Sequence, residues 1–200
     1  MVNIIKVLPN TFIPLFVAIN VFLLLPIFIS MTEEMSKPKR REVVRESILT
    51  AIIVSLLFIA LGEAIFQILG ITTDDFKIGG GLVLLVFAIL DLIKSGEEWR
   101  KSIDKMGVVP IGVPLIVGPA VLTTILVLVD HYGIIPTIIS IVLNLFIVWI
   151  SLVNAQRIMN IFGRGGIIGI SKVMALFLAA IAIMMIRLGV ENIVKHQAGG

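Results

Sequence analysis

Two stretches of this chain carry backbone chemistry where an unbroken apolar helix would carry none. "VPLIVGPAVLTT" (113–124) holds Pro114, Gly118, Pro119, Thr123 and Thr124 in otherwise apolar sequence. "FVAINVFLLLP" (16–26) holds Asn20 and Pro26 in an equally apolar setting. Proline removes a helical amide donor and collides with the carbonyl one turn upstream, so an interrupted helix is predicted at each. Gly118 tolerates a positive φ and is expected to end one half-helix. Pro119 suits the first position of the next. The amides of Ala120, Val121 and Leu122 would then be free. Asn20 has the side chain of an N-cap, which would free the amides of Val21, Phe22 and Leu23. Helix starts carry partial positive charge and hold carboxylates and other small anions. Thr123 and Thr124 add hydroxyls one turn further on. The predicted substrate-binding set is therefore Asn20, Val21, Phe22, Gly118, Pro119, Ala120, Val121, Thr123 and Thr124, and its chemistry is the binding of a small anion or zwitterion.

A second group is ionisable. Charges inside membrane spans are costly and are functional by default, which makes Glu63, Arg187 and Asp91 coupling or gating candidates. Glu63 and Arg187 fall at similar depth in the outer half, where an ion pair or a proton-coupling role is open to them. Asp91 ends the third apolar block, where water or Lys94 is its expected neighbour. Asn144, Ser151 and Asn154 share one helical face, a pattern suited to hydrogen bonds between helices. Gly79, Gly80 and Gly81 are expected to allow close helix packing. The sequence holds no cysteine, which excludes disulfides, thiol nucleophiles and iron–sulfur clusters. His131 lies in a short loop and reads as solvated. Without a buried His or a second Asp at midplane depth, an intramembrane protease is disfavoured. No metal or cofactor is implied, and the protein is not expected to be an enzyme.

These residues need elements to position them, and composition says which. Of 200 residues, 58% are apolar and 14% charged, with a mean hydropathy of +1.14. Soluble domains run near 25% charged. The apolar residues come in blocks close to the ~20 residues that cross ~30 Å of hydrocarbon. Six spans are predicted, at about 11–30, 47–69, 77–94, 108–129, 134–155 and 168–190. The first is too long for a signal-peptide core. Lys and Arg gather in alternate connections: twelve lie on one side and four on the other. The positive-inside rule places the basic side in the cytoplasm and both termini outside. Basic residues here report topology, so nucleic acid is not implied by the pI; "SKPKRREVVR" also suits contact with anionic lipid.

Residues 1–200 read as a single transmembrane domain. The connection at 95–106, a cytoplasmic linker, divides it into three-span halves at 8–94 and 107–194. "IPLFVAI" (13–19) and "VPLIVGP" (113–119) share Pro, Leu and Val at a spacing of 100. An odd number of crossings per half forces two such repeats to be inverted. The fold class is thus an all-α membrane protein of two inverted three-helix repeats, with discontinuous first and fourth helices. That plan is common among secondary transporters, whose sites lie at midplane helix breaks.

The residues also resemble a known family. "FVAINVFLLLPIFISMT" resembles the first signature of the MarC family, an Asn-Pro-x-Gly-x-x-Pro pattern. "PLIVGPAVLTT" resembles its second, Pro-Leu-x-x-Gly-Pro-Gly/Ala-x-x-Thr-Thr. The resemblance covers roughly residues 8 to 194. It implies a six-span inner-membrane protein that transports small neutral amino acids such as glycine and alanine, coupled to H+ or Na+. Asn20 and Pro26 match the first signature, and Pro114, Gly118, Pro119, Thr123 and Thr124 the second. Gly80, Gly81 and Asp91 match the third-span pattern. Val21 stands where the family usually has Pro, Phe22 lies close to the usual Gly, and Met184 replaces a frequent Gln. Phe22 is therefore expected to face the pocket and to restrict it to a very small substrate. The competing readings are a passive channel or exporter of another small solute and, more remotely, an intramembrane enzyme.

Overall fold

A computed structural model describes residues 4–33, 35–93 and 116–198, apart from several helical side chains, those of Glu63 and Pro119 among them. Every regular element among them is a helix: α1 (Ile4–Ile19), α2 (Val21–Met31), α3 (Lys37–Leu69), α4 (Thr73–Ile93), α5 (Pro119–Tyr132), α6 (Ile134–Val153) and α7 (Ala155–Ala198). Five helical segments are long and apolar enough to cross a membrane: Lys6–Ile29, Lys37–Gly62, Thr73–Ile93, Ile134–Val153 and Ala155–Lys195. The first comprises α1 and α2, broken at Asn20. Of the expected fourth span, α5 supplies the second half; its first half, with Pro114, lies outside the described residues, as does the linker at 95–106.

Some expected connections are helical. Residues 37–46 form the opening turns of α3, because "KRREVVRES" contains strong helix formers and no glycine. The fifth connection belongs to α7, which changes direction at Gly163 (φ 67°, ψ 164°). Only glycine adopts that conformation at little cost. The α4 start is a reciprocal cap. The Thr72 amide donates to Asp75 Oδ2 at 3.0 Å, and the Asp75 amide donates to Thr72 Oγ1 at 3.1 Å. Each satisfies a donor that the first turn leaves open.

Two apolar clusters hold the bundle. One joins α1, α2, α3, α5 and α6 around Leu15, Leu25, Phe28, Ile125 and Leu145. The other joins α4, α5 and α7 around Leu84, Ala88, Ala182 and Met185, with Val17 of α1. Many large apolar side chains remain exposed, such as Leu57, Val86, Phe146 and Leu176, as a lipid-facing surface requires.

The α4–α7 contact is unusually close. A Cβ at Gly81 would lie 2.8 Å from the Ala182 carbonyl oxygen and 2.7 Å from Ile186; one at Gly189 would lie 2.8 Å from the Asp74 carbonyl oxygen. Gly80 meets Thr123 of α5 in the same way, at 2.1 Å, whereas Gly79 faces open space. The glycine triplet therefore packs through two of its members. Lysines pin both ends of α4. Buried Lys77 donates to Asp74 and to Asp130 of α5, each at 3.0 Å, and Asn192 of α7 donates to Asp74 at 3.0 Å. At the other end Lys172 of α7 donates to the carbonyl oxygens of Asp91 and, at 2.9 Å, Leu92. Across the bundle, Asn144 of α6 donates to the Phe12 carbonyl of α1 at 3.2 Å. Asn154 bonds within its own helix, to the Ile150 carbonyl.

Overpacking a close crossing costs about 1–3 kcal/mol. Gly81→Ala should therefore lower the thermal midpoint of the purified protein in detergent, while Gly79→Ala should leave it unchanged or raise it. Equal midpoints for the two variants would contradict the close crossing.

Candidate functional site

Asn20 makes the first break. Its φ of 45° and ψ of 64° are left-handed, and it is the one non-glycine residue with positive φ among those described. Asparagine tolerates this region better than other L-residues because its short polar side chain bonds locally. Here Oδ1 accepts from the Leu23 amide at 3.4 Å. The Asn20 amide closes α1 on the Phe16 carbonyl, and the Asn20 carbonyl accepts from Leu23 and Leu24 of α2. The residue thus ends one helix and starts another.

Its remaining group, Nδ2, donates to Asp91 Oδ2 at 2.9 Å and to Ser171 Oγ at 3.1 Å. Asn20, Asp91 and Ser171 are all buried. The sequence led to the expectation that Asp91 faces water or Lys94; instead it turns inward from the last turns of α4 onto the break, close to Lys172. Ser171 and Lys172 are the site residues that the sequence reading missed. Polar residues opening a span usually meet water, so nothing in their type or spacing marked them.

At the second expected break, Gly118 is the N-cap of α5, with φ −75° and ψ 176°. This is extended backbone open to any residue, so the expected positive φ is corrected. The Gly118 carbonyl accepts from the amides of Val121 and Leu122 at 3.0 and 3.1 Å. These two amides are therefore bonded, as is that of Leu23, contrary to the expectation that they stand free. The amides left without an intrahelical carbonyl are those that open each first turn: Val21 and Phe22 in α2, and Ala120 in α5.

Both breaks border one cavity of about 140 Å³. Its polar lining comes from Asn20, Asp91 and the backbone at Gly118; Ala120 and Val121 line it from α5, and Leu23, Phe87 and Leu178 supply apolar wall. The other predicted binding residues stand elsewhere. Val21 is buried in the first apolar cluster and Phe22 packs against it, so neither lines the cavity. Leu23 and Phe87 occupy the place expected of Phe22. Thr123 packs its methyl on Gly80, and Thr124 Oγ1 donates to the Ala120 carbonyl at 2.8 Å; neither lines the cavity. Arg187 is exposed and lies 3.8 Å from Glu191 on its own helix. The side chains of Glu63 and Pro119 lie outside those described.

Taken together, a helical bundle with apolar outer faces, a helix broken at Asn20, a helix that starts after Gly118 and a small pocket bordered by both define an integral membrane protein with a solute-sized recess among its helices. The chain belongs to the MarC family of integral membrane proteins, whose family model matches residues 5–194. It is similar to a UPF0056 membrane protein of Methanocaldococcus jannaschii, with 33% identity over 90% of this chain and 94% of that protein. A UPF0056 membrane protein of Pyrococcus abyssi is 29% identical over 96% and 98% of the two chains. One from Aquifex aeolicus is 28% identical over 94% of each. No solved structure matches the chain.

Removing one partner of a buried polar pair costs about 1–3 kcal/mol. Asn20→Ala removes both the cap on Leu23 and the donor to Asp91, and a lowered thermal midpoint is the expected outcome. Thr124→Ser keeps the bond to Ala120 and should shift the midpoint far less. A wild-type midpoint for Asn20→Ala would show that the break does not depend on this side chain.

Proposed function

We propose that the protein is a secondary transporter of small neutral amino acids, glycine and alanine, across the cytoplasmic membrane, with both termini outside. The observation that carries this reading is the single cavity bordered by both helix breaks and by Asp91. A volume of about 140 Å³ equals that of roughly five waters at ~30 Å³ each, which suits a zwitterion with a short side chain. The substrate carboxylate would meet the opening amide of α5, that of Ala120, where the helix dipole favours negative charge. Its ammonium group would meet Asp91. Leu23, Phe87 and Leu178 would exclude bulkier side chains.

The inverted-repeat plan is part of the proposal and finds support in which helices touch. The α3–α6 and α4–α7 pairs each join corresponding spans of the two halves. The α2–α6 contact has its counterpart in α5–α3, and α2–α7 in α5–α4. A twofold axis in the membrane plane would produce this pattern, and transporters of this plan bind substrate near such an axis.

Coupling to H+ or Na+ would run through Asp91, because it is the buried carboxylate that lines the cavity. A proton or sodium ion on Asp91 changes what it accepts from Asn20, and Asn20 holds the first break. Arg187, exposed and beside Glu191, is not placed to share this role. No bond of the substrate is made or broken, so the reading is of a carrier and not of an enzyme.

Uptake of radiolabelled glycine and alanine into proteoliposomes tests the proposal. An imposed pH or sodium gradient should drive uptake by the wild type, and Asp91→Asn should lose that response. Gly118→Leu should fill the cavity and lower uptake about ten-fold or more, the equivalent of ~1.4 kcal/mol. Phe22→Ala, away from the cavity, should change it little. The substrate reading fails if neither amino acid moves; uptake indifferent to every gradient would instead favour a passive channel.

A further inference from the structure

Away from this cavity, the basic end of the bundle carries a second recess. Lys37, Arg40 and Arg41 from the first turns of α3, with Arg157 from the first turn of α7, line a groove of about 470 Å³. No carboxylate lines it among the described residues, and Glu42 is engaged by Lys39 at 2.9 Å. Arg40 donates through Nη2 to the Thr32 carbonyl at 2.8 Å. Its Nε is buried without a hydrogen-bond partner among the described residues. Four cations around one recess with no carboxylate in its lining call for an anionic group.

What adjoins the recess narrows the choice. A second groove, of about 370 Å³, runs between α3 and α6, with Arg45 at its edge and Ile48, Ile52, Val142 and Phe146 in its walls. The basic groove touches Val44 and Leu152. Along α3 the lining therefore passes from Arg41 through Val44 to Ile52, and along α6 it passes from Leu152 back to Val142. The two grooves are consecutive parts of one antiparallel seam. Arg41 to Ile52 spans eleven helical residues, about 16 Å at 1.5 Å each, or half of a ~30 Å hydrocarbon core. Exposed Trp149 lines the apolar groove and stacks on Phe146 with ring centroids 5.8 Å apart.

We infer that this seam is a binding site for an anionic phospholipid, its phosphate headgroup in the basic groove and an acyl chain along the apolar one. By the positive-inside pattern the site faces the cytoplasmic leaflet, where anionic lipid attracts clustered Lys and Arg. A zwitterionic choline lipid would bring a fifth cation to a recess that already holds four. Free phosphate would leave the apolar groove unused. The inference does not depend on the transport reading.

Trp149 provides the probe. The chain has two tryptophans, so Trp99→Phe leaves Trp149 as the only one. The full-length Trp99→Phe protein is reconstituted in phosphatidylcholine vesicles carrying a minor fraction of brominated phosphatidylglycerol or of brominated phosphatidylcholine. Brominated phosphatidylglycerol is expected to quench Trp149 fluorescence at an about ten-fold lower fraction. Adding Arg41→Gln and Arg157→Gln should abolish that preference, and inorganic phosphate should not displace the lipid. Equal quenching by the two lipids overturns the proposal, as does a preference that survives both substitutions. Displacement by inorganic phosphate would reassign the recess to a free anion and overturn it too. The two-lipid comparison involves no basic substitution, so it decides the matter even if the double variant fails to fold.

Discussion

The structure depends on one constraint: a backbone polar group in hydrocarbon must find its partner inside the protein. A helix meets it automatically, and a broken helix does not. At Asn20 a single side chain resolves most of the conflict. Its left-handed backbone ends α1, its carbonyl and Oδ1 supply the first acceptors of α2, and its Nδ2 ties the break to Asp91 and Ser171. Proline at this point would have removed the amide that closes α1 on Phe16, so the asparagine both makes and repairs the interruption.

The buried carboxylate follows from the same constraint. An isolated charge in a low-dielectric interior is expensive, and Asp91 is surrounded by what offsets that expense. Asn20 donates to it from the break, Ser171 stands beside it, and the Lys172 ammonium lies against the backbone at the end of α4. The last contact also suits the helix, because a cation at a C-terminus meets the negative end of its dipole. The polar cluster and the cavity meet at Asn20 and Asp91, which line the space, while Ser171 and Lys172 support Asp91 from behind that lining.

Much of this was legible in the sequence. The apolar blocks, the break at Asn20, the helix start after Gly118 and close packing somewhere in the triplet Gly79–Gly81 follow from residue type and spacing alone, whereas which two of the three glycines make the contact does not. What the sequence could not reveal was direction. Asp91 and Ser171 lie near span ends, where water is the usual neighbour; only the three-dimensional packing turns them onto Asn20. Phe22 illustrates the converse. Two residues after Asn20 it should face the gap, but a helix rotates each successive residue by about 100°, so Leu23 takes that position. Thr123 and Thr124 carry hydroxyls near the second break, yet one packs its methyl against glycine and the other bonds its own helix. Residue type set the capacity for chemistry, and helical phase decided whether it was used.

The contact of Gly81 and Gly189 has a mechanical consequence. Where two helices approach until a carbonyl of each meets a glycine of the other, neither can slide along or roll over its neighbour without collision. Lys77 with Asp74 and Asn192 at one end, and Lys172 at the other, fasten the pair further. α4 and α7 therefore behave as a single plank. A displacement of either helix must carry the other with it, and Lys77 ties the pair to Asp130 of α5 as well.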